Sequence, residues 1–104
     1  MAASRGNYPI MSIVGLLTIE LHLPDAQSLK AKRMVLRRVK DRLKKFNVAI
    51  AETEHQDLWQ RAALSVVTVS NETAAVDEAL AKVVNEIERV EPGTVTRTQI
   101  EFLT

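Results

Sequence analysis

Three observations predict an α+β domain with the element order β-α-β-β-α-β. Period-two alternation marks the first and last strands, two long stretches carry helical periodicity, and between those stretches lie two β-rich segments joined by a polar connection. Two right-handed βαβ crossovers bring this order into a four-stranded antiparallel sheet with both helices on one face, the ferredoxin-like arrangement. At 104 residues, 46% of them apolar, the chain suits one compact domain. That domain is expected over 12–104, with 1–11 as a flexible N-terminal extension.

The first strand is expected from Ser12 to Leu23. One parity collects Ile13, Gly15, Leu17, Ile19, Leu21 and Leu23; the other collects Val14, Leu16, Thr18, Glu20 and His22 and turns polar towards its end. A strand covered mainly on one side has this pattern, and Pro24-Asp25 ends it. Ser28 is placed to cap the first helix. Leu29, Leu36, Val39, Leu43 and Phe46 fall on one stripe of it with Val35 alongside, and Asn47 is the expected stop.

A short second strand covers Val48 to Thr53, and the connection ETEHQDLWQR leads to a third, Ala62 to Ser70, rich in β-branched residues. Asn71 is expected to cap the second helix, with Glu72 in its first turn. There Val76, Leu80, Val83, Ile87 and Val90 step by four, three, four and three, which buries one face. Pro92-Gly93 stops that helix, and Thr94 to Leu103 forms the last strand. The helix-free sheet face should carry Thr18, Glu20 and His22, joined from the last strand either by Arg97, Gln99 and Glu101 or by Thr96, Thr98 and Ile100.

Several function classes fall away. There is no cysteine, hence no disulfide, thiolate metal site or cysteine nucleophile, which fits a cytoplasmic protein. No apolar run approaches the roughly 18 residues that cross a bilayer. GxSxG, GxxxxGK and HExxH patterns are all missing, so no catalytic residue, metal or cofactor is assigned, and the expectation leans away from an enzyme.

The charge is strongly localised. From Ser28 to Phe46 the chain carries Lys30, Lys32, Arg33, Arg37, Arg38, Lys40, Arg42, Lys44 and Lys45, nine of its fourteen Lys and Arg, although its formal charge is only +1. Such concentration points to an anionic partner, nucleic acid first. Like charges at i,i+3 and i,i+4 cost about 0.2–0.5 kcal/mol each in an isolated helix, and cations near a helix N-terminus oppose its dipole. Two readings follow: a solvated face partly paired with the acidic second helix (Glu72, Asp77, Glu78, Glu86, Glu88), or a phosphate-binding face. On the second, Lys30, Lys32, Arg33, Arg37, Lys40 and Lys44 are candidate RNA contacts.

The topology also brings the end of the first strand, the start of the first helix and the 52–61 connection to one end of the domain. Trp59 and Arg61 there offer a stacking platform and a cation for RNA; alternatively Trp59 closes the core beneath a long hairpin while Asp57 and Gln60 satisfy turn backbone groups. Glu20, His22, Ser28, His55 and Asp57 are candidate residues of a small-ligand end, or of a metal site that no ligand spacing supports. Sheet-face RNA recognition needs aromatic residues on the central strands. Tyr8, Phe46, Trp59 and Phe102 are the only aromatics and none is so placed, so the open face is better used by homodimer packing through the sheet.

The run IVGLLTIELHLPDAQSLKAKR, the basic helix ending RLKKFNVAIAE and the hairpin EHQDLWQRAALSV together resemble the YlxP-like family of small bacterial proteins, from Met11 to about Leu103. The matching positions include Glu20, His22, Pro24, Ser28, Lys30, Lys32, Arg33, Phe46, Asn47, Glu52, Asp57, Trp59, Gln60 and Arg61. The resemblance implies a ferredoxin-like domain and, through the genes that commonly lie beside those of the family, work around ribosome assembly or translation. It carries no catalytic residue. The expectation is an RNA- or ribosome-associated accessory protein, dimeric through its sheet, with a small-ligand site or a purely structural module as the alternatives.

Overall fold

A computed structural model describes residues 12–103. Its elements are β1 (Ile13–His22), α1 (Leu29–Leu43), β2 (Ala49–Glu54), β3 (Arg61–Ser70), α2 (Thr73–Val90) and β4 (Val95–Leu103). The four strands form one antiparallel sheet in the order β2-β3-β1-β4. This is the expected β-α-β-β-α-β arrangement. The extension expected over 1–11 lies outside the described residues.

The parity of β1 decides which face is buried. Leu17, Ile19 and Leu21 point to the helices and are buried, as is Gly15 between the helix layer and the sheet. Across the pairing, Leu64 and Val66 of β3 join them, and Val76, Leu80, Val83 and Ile87 of α2 close over the top. Gly15 is where α2 comes closest: a Cβ there would collide with Val76 Cγ1 and lie 3.0 Å from Leu80 Cδ1. From α1 the core takes Leu36, Val39 and Leu43, with Val35 and Phe46 partly buried against it.

Helix boundaries differ from expectation in two places. Ser28 caps α1 as anticipated, its hydroxyl accepting from Ala31 N at 3.0 Å. The helix ends at Leu43 rather than near Phe46, because the chain tightens into turns with Lys44 N donating to Asp41 O and Phe46 N to Leu43 O. Asn71 does not cap α2. The N-cap is Glu72, whose side chain makes no capping bond; its own N–H donates to Ser70 Oγ. At the far end Gly93 takes φ +77, the left-handed conformation that lets the chain turn from α2 into β4.

The helix layer does not cover the sheet evenly. α2 packs on the central strands β1 and β3, and α1 lies beside it towards β2. β4 is covered mainly at its start, where Val95 packs on the core and its N–H donates to Glu88 of α2, while Ile100 and Phe102, on the helix side of the sheet opposite Leu17 and Gly15, stay 40% and 42% exposed. The same register places Arg97, Gln99 and Glu101 on the open face, beside Glu20, Thr18 and Leu16, which settles the parity of the last strand. No described helix is long and apolar enough to cross a membrane.

Replacing Gly15 with alanine should overpack the contact with Val76 and lower stability by about 1–3 kcal/mol. Urea unfolding midpoints of Gly15→Ala and the parent chain measure this. An unchanged midpoint would mean that α2 sits farther from β1 than described.

Candidate functional site

Lys32 organises one end of the domain. It lies on the core-facing stripe of α1, spaced 32-36-39-43 with Leu36, Val39 and Leu43, and is 1% exposed. Its ammonium reaches out of the helix layer to the tip of the β2–β3 hairpin. Nζ donates to His55 O at 2.6 Å and Arg61 O at 3.1 Å, with Gln56 O at 3.5 Å. Glu52 Oε2 stands 2.8 Å away as the counter-charge, off the direction of a good hydrogen bond, so the contact is an ion pair and Oε2 accepts no hydrogen bond.

Lys32 was expected among the phosphate contacts; its burial and these partners remove it from that set. The signal was in the spacing, since a lysine in register with three core residues is better read by its position than by its charge.

The backbone around this ammonium is specialised. A bulge between Glu52 and Glu54 shifts the register of β2 against β3, leaving Glu52 on the helix side opposite buried Leu64. His55 has φ +64, the left-handed region where non-glycine residues are uncommon. Its carbonyl accepts from both Lys32 Nζ and Leu58 N, while its ring meets the open face of the sheet. Gln60 ties the hairpin to the β1–α1 loop: its side chain donates to Pro24 O at 3.1 Å, and its carbonyl accepts from Leu23 N at 2.8 Å.

On that open face Glu20, His55 and Arg61 form a cluster. Arg61 Nη2 lies 3.1 Å from Glu20 Oε1 and 3.2 Å from His55 Nε2, and the His55 ring nitrogen is 3.5 Å from the same carboxylate oxygen. A neutral imidazole accepts from Arg61 through a bare Nε2; a protonated one donates to Glu20 instead. The Arg61 guanidinium, and His55 after it, hold the Glu20 carboxyl below the usual glutamate range, against the smaller opposing effect of burial.

Beside the cluster an open hollow of about 480 Å³ is lined by His22, Asp57, Leu58, Trp59, Gln60 and Arg61. Trp59 is 52% exposed. It does not close the core; its ring is available at the rim. Ser28, a candidate for this end, is committed to capping α1. No group of three His, Asp or Glu among the described residues is placed to hold a metal ion.

The basic stripe of α1 lies on the outer side. Arg33, Arg37, Lys40 and Lys44 line a groove of about 360 Å³ with Leu36, Asp41 and Glu52. Lys30, Arg33, Arg37, Lys40 and Arg42 form no ion pair among the described residues, whereas Lys44 pairs with Asp41, Arg38 with Glu91 and Lys45 with Glu86. The acidic second helix thus neutralises little of the stripe. Glu86 itself is held below the usual range by Arg89 first and then by Lys45.

A ferredoxin-like domain whose hairpin tip is locked by a buried helix lysine is the class that fold and site define together. Within it, the chain belongs to the family described as protein of unknown function (DUF503), matched over residues 14–100. The uncharacterized protein YlxP of Bacillus subtilis (strain 168) is 38% identical over 94 residues, covering 84% of this chain and 98% of that one.

Among solved structures, the designed protein Foldit4 superposes with a TM-score of 0.55 at 10% identity, covering 89% of this chain and 97% of the design. A C-terminal segment of the alpha subunit of aIF2 from Pyrococcus abyssi gives 0.51 at 20% identity, covering 94% of this chain and 53% of that segment. At these identities both likenesses concern the fold alone.

Two measurements test this end of the molecule. Lys32→Met leaves the His55 and Arg61 carbonyls and the Glu52 carboxylate without their cation, and should cost about 3–5 kcal/mol. In a urea double-mutant cycle, adding Glu52→Gln should cost less than the sum of the singles; additivity would deny the coupling.

The pH dependence follows from Glu20 and Glu86. Both are lowered in the folded state, so their contribution is complete above the unfolded value of about 4.3 and is lost as pH falls through the folded values. The urea midpoint should therefore fall on acidification below about pH 5, and Glu20→Gln should flatten part of that fall.

Proposed function

We propose that the protein is a non-enzymatic RNA-associated accessory protein, of the kind that works at the ribosome, and that α1 is its phosphate-contacting face. The observation that carries this reading is the unpaired row on α1: Lys30, Arg33, Arg37 and Lys40 stand on one side of the helix with no acidic partner within 4.0 Å among the described residues. Their mutual repulsion, together with the place of Lys30 and Arg33 near the positive end of the helix dipole, is relieved when anionic oxygens occupy the groove. Arg61 lines the Trp59 hollow and its carbonyl accepts from Lys32 of α1, so a strand that follows α1 and passes round this end of the domain meets an aromatic ring for stacking a base. Arg61 adds a cation there, shared with Glu20.

The test is a binding titration of labelled mixed-sequence single-stranded RNA over a range of salt. Five phosphate contacts correspond to a slope of about −3.5 in log K against log salt, and each contact removed should lessen it by about 0.7. Arg37→Glu with Lys40→Glu should weaken binding by tenfold or more, and Lys82→Glu on α2 should not. Trp59→Ala should weaken binding without changing the slope. A flat salt response, or equal loss from the α2 variant, counts against the reading.

The hollow supports a second reading. Its volume falls within the range of small-ligand sites, roughly 300–1,000 Å³. A thermal-shift screen with nucleosides and mononucleotides, lost in Trp59→Ala, would favour a ligand site over an RNA platform.

A further inference from the structure

β4 is an edge strand of nine residues, Val95–Leu103, with neither lysine nor proline in it. Natural sheets blunt such edges with short strands, charges, proline, bulges or a covering helix. The opposite edge does so: β2 has six residues, ends in Glu52-Thr53-Glu54 and is bulged there, whereas the register shift of β4 lies at Thr96 and leaves Arg97–Leu103 in unbroken pairing with β1. Beyond Val95, which packs on the core, β4 leaves Ile100 and Phe102 exposed on its helix side.

The free edge also has a definite pattern. Thr18 of β1 stands opposite Gln99 and Glu20 opposite Arg97. The His22 N–H, of the same parity, bonds to Thr94 O on the β4 side, whereas the Leu23 N–H bonds to Gln60 O on the β3 side. Gln99 and its alternate neighbours thus direct their backbone groups to β1, and Thr98, Ile100 and Phe102 direct theirs outwards.

We propose that the protein forms a homodimer in which β4 pairs antiparallel with β4 of a second copy, with the two-fold axis at Gln99, giving one continuous eight-stranded sheet. In this register Thr98 and Ile100 exchange backbone hydrogen bonds with Ile100 and Thr98 of the other copy. Arg97 of each copy falls opposite Glu101 of the other on the open face, in the close non-hydrogen-bonded pairing. Arg97 and Glu101 form no ion pair among the described residues, so both are free to make this one. Shifting the axis to Thr98 or Ile100 loses both charge pairs. The occupant is a second copy because the only charges on the strand cancel under a two-fold axis. This refines the expected dimer through the sheet: the contact is the edge, not the open face.

Sedimentation equilibrium of the full chain over a dilution series tests the proposal. A concentration-dependent dimer is expected, and a monomer at every concentration overturns it. Arg97→Glu alone and Glu101→Arg alone each place like charges opposite one another and should raise the dimer dissociation constant at least tenfold. The double exchange should restore it, which also separates a lost interface from a misfolded chain. Because the chain has no cysteine, Gln99→Cys introduces a single thiol on the axis. Non-hydrogen-bonded partners lie about 4.5 Å apart at Cα, within the disulfide range of about 4.4–6.8 Å, so mild oxidation should give a covalent dimer. A dimer indifferent to the charge exchanges, with no crosslink through Gln99→Cys, uses another surface and overturns the proposal.

Discussion

A primary ammonium group survives away from water only when strong acceptors converge on it, and Lys32 has the carbonyls of His55, Gln56 and Arg61 and the carboxylate of Glu52 within 3.5 Å. Much of this end of the domain depends on that convergence. It requires the β2 bulge that leaves Glu52 facing the helices, and the left-handed His55 whose carbonyl meets the lysine. With the tip held there, the His55 ring comes to rest beside Glu20 and Arg61, and Trp59 is left at the rim of a hollow instead of beneath the hairpin. A hydrophobic residue at position 32 would serve the core equally well; only a cation also fixes the connection between two strands.

The order of the elements was legible because each core stripe is continuous: alternate residues of β1 and the four-and-three steps of α2 leave one solution for the buried faces. Ser28 was legible as a cap for the same local reason. Asn71 misled because a capping residue type was present one position early, and residue type does not fix where the first helical turn closes. Lys32 misled in the opposite way. Charge placed it with Arg33 and Arg37, while geometry placed it with Leu36. The local sequence does not decide Trp59, since the exposure of a hairpin side chain depends on how far the tip folds back, and that is set by long-range contacts to α1. The Glu20–His55–Arg61 cluster was visible as residues sharing one end, but their contact across strands rests on register.

The charge of α1 divides into parts with different physics. Lys32 is structural. Lys45, just beyond the helix, and Arg38 bridge to α2 and its C-cap through Glu86 and Glu91. What remains is a row facing a groove that also contains Glu52 and Asp41. Those two carboxylates are already engaged, Glu52 with Lys32 and Asp41 with Lys44. The two sheet edges are just as unequal. β2 is short, bulged and acidic, whereas β4 is longer and charge-balanced, with its one register shift confined to its start at Thr96.

The Lys32 contact also sets an order of events during synthesis. The lysine leaves the ribosome 29 residues before the last of its carbonyl partners, at Arg61. Until then it sits on a helix whose apolar stripe has no sheet to meet, with a charge in the middle of that stripe. Burying that face against any surface that lacks such acceptors costs the desolvation of an unpaired charge. The carbonyl acceptors of Lys32 are complete once the chain has reached Arg61, the first residue of β3, so the cost of burying the lysine is offset only when the hairpin tip exists to receive it.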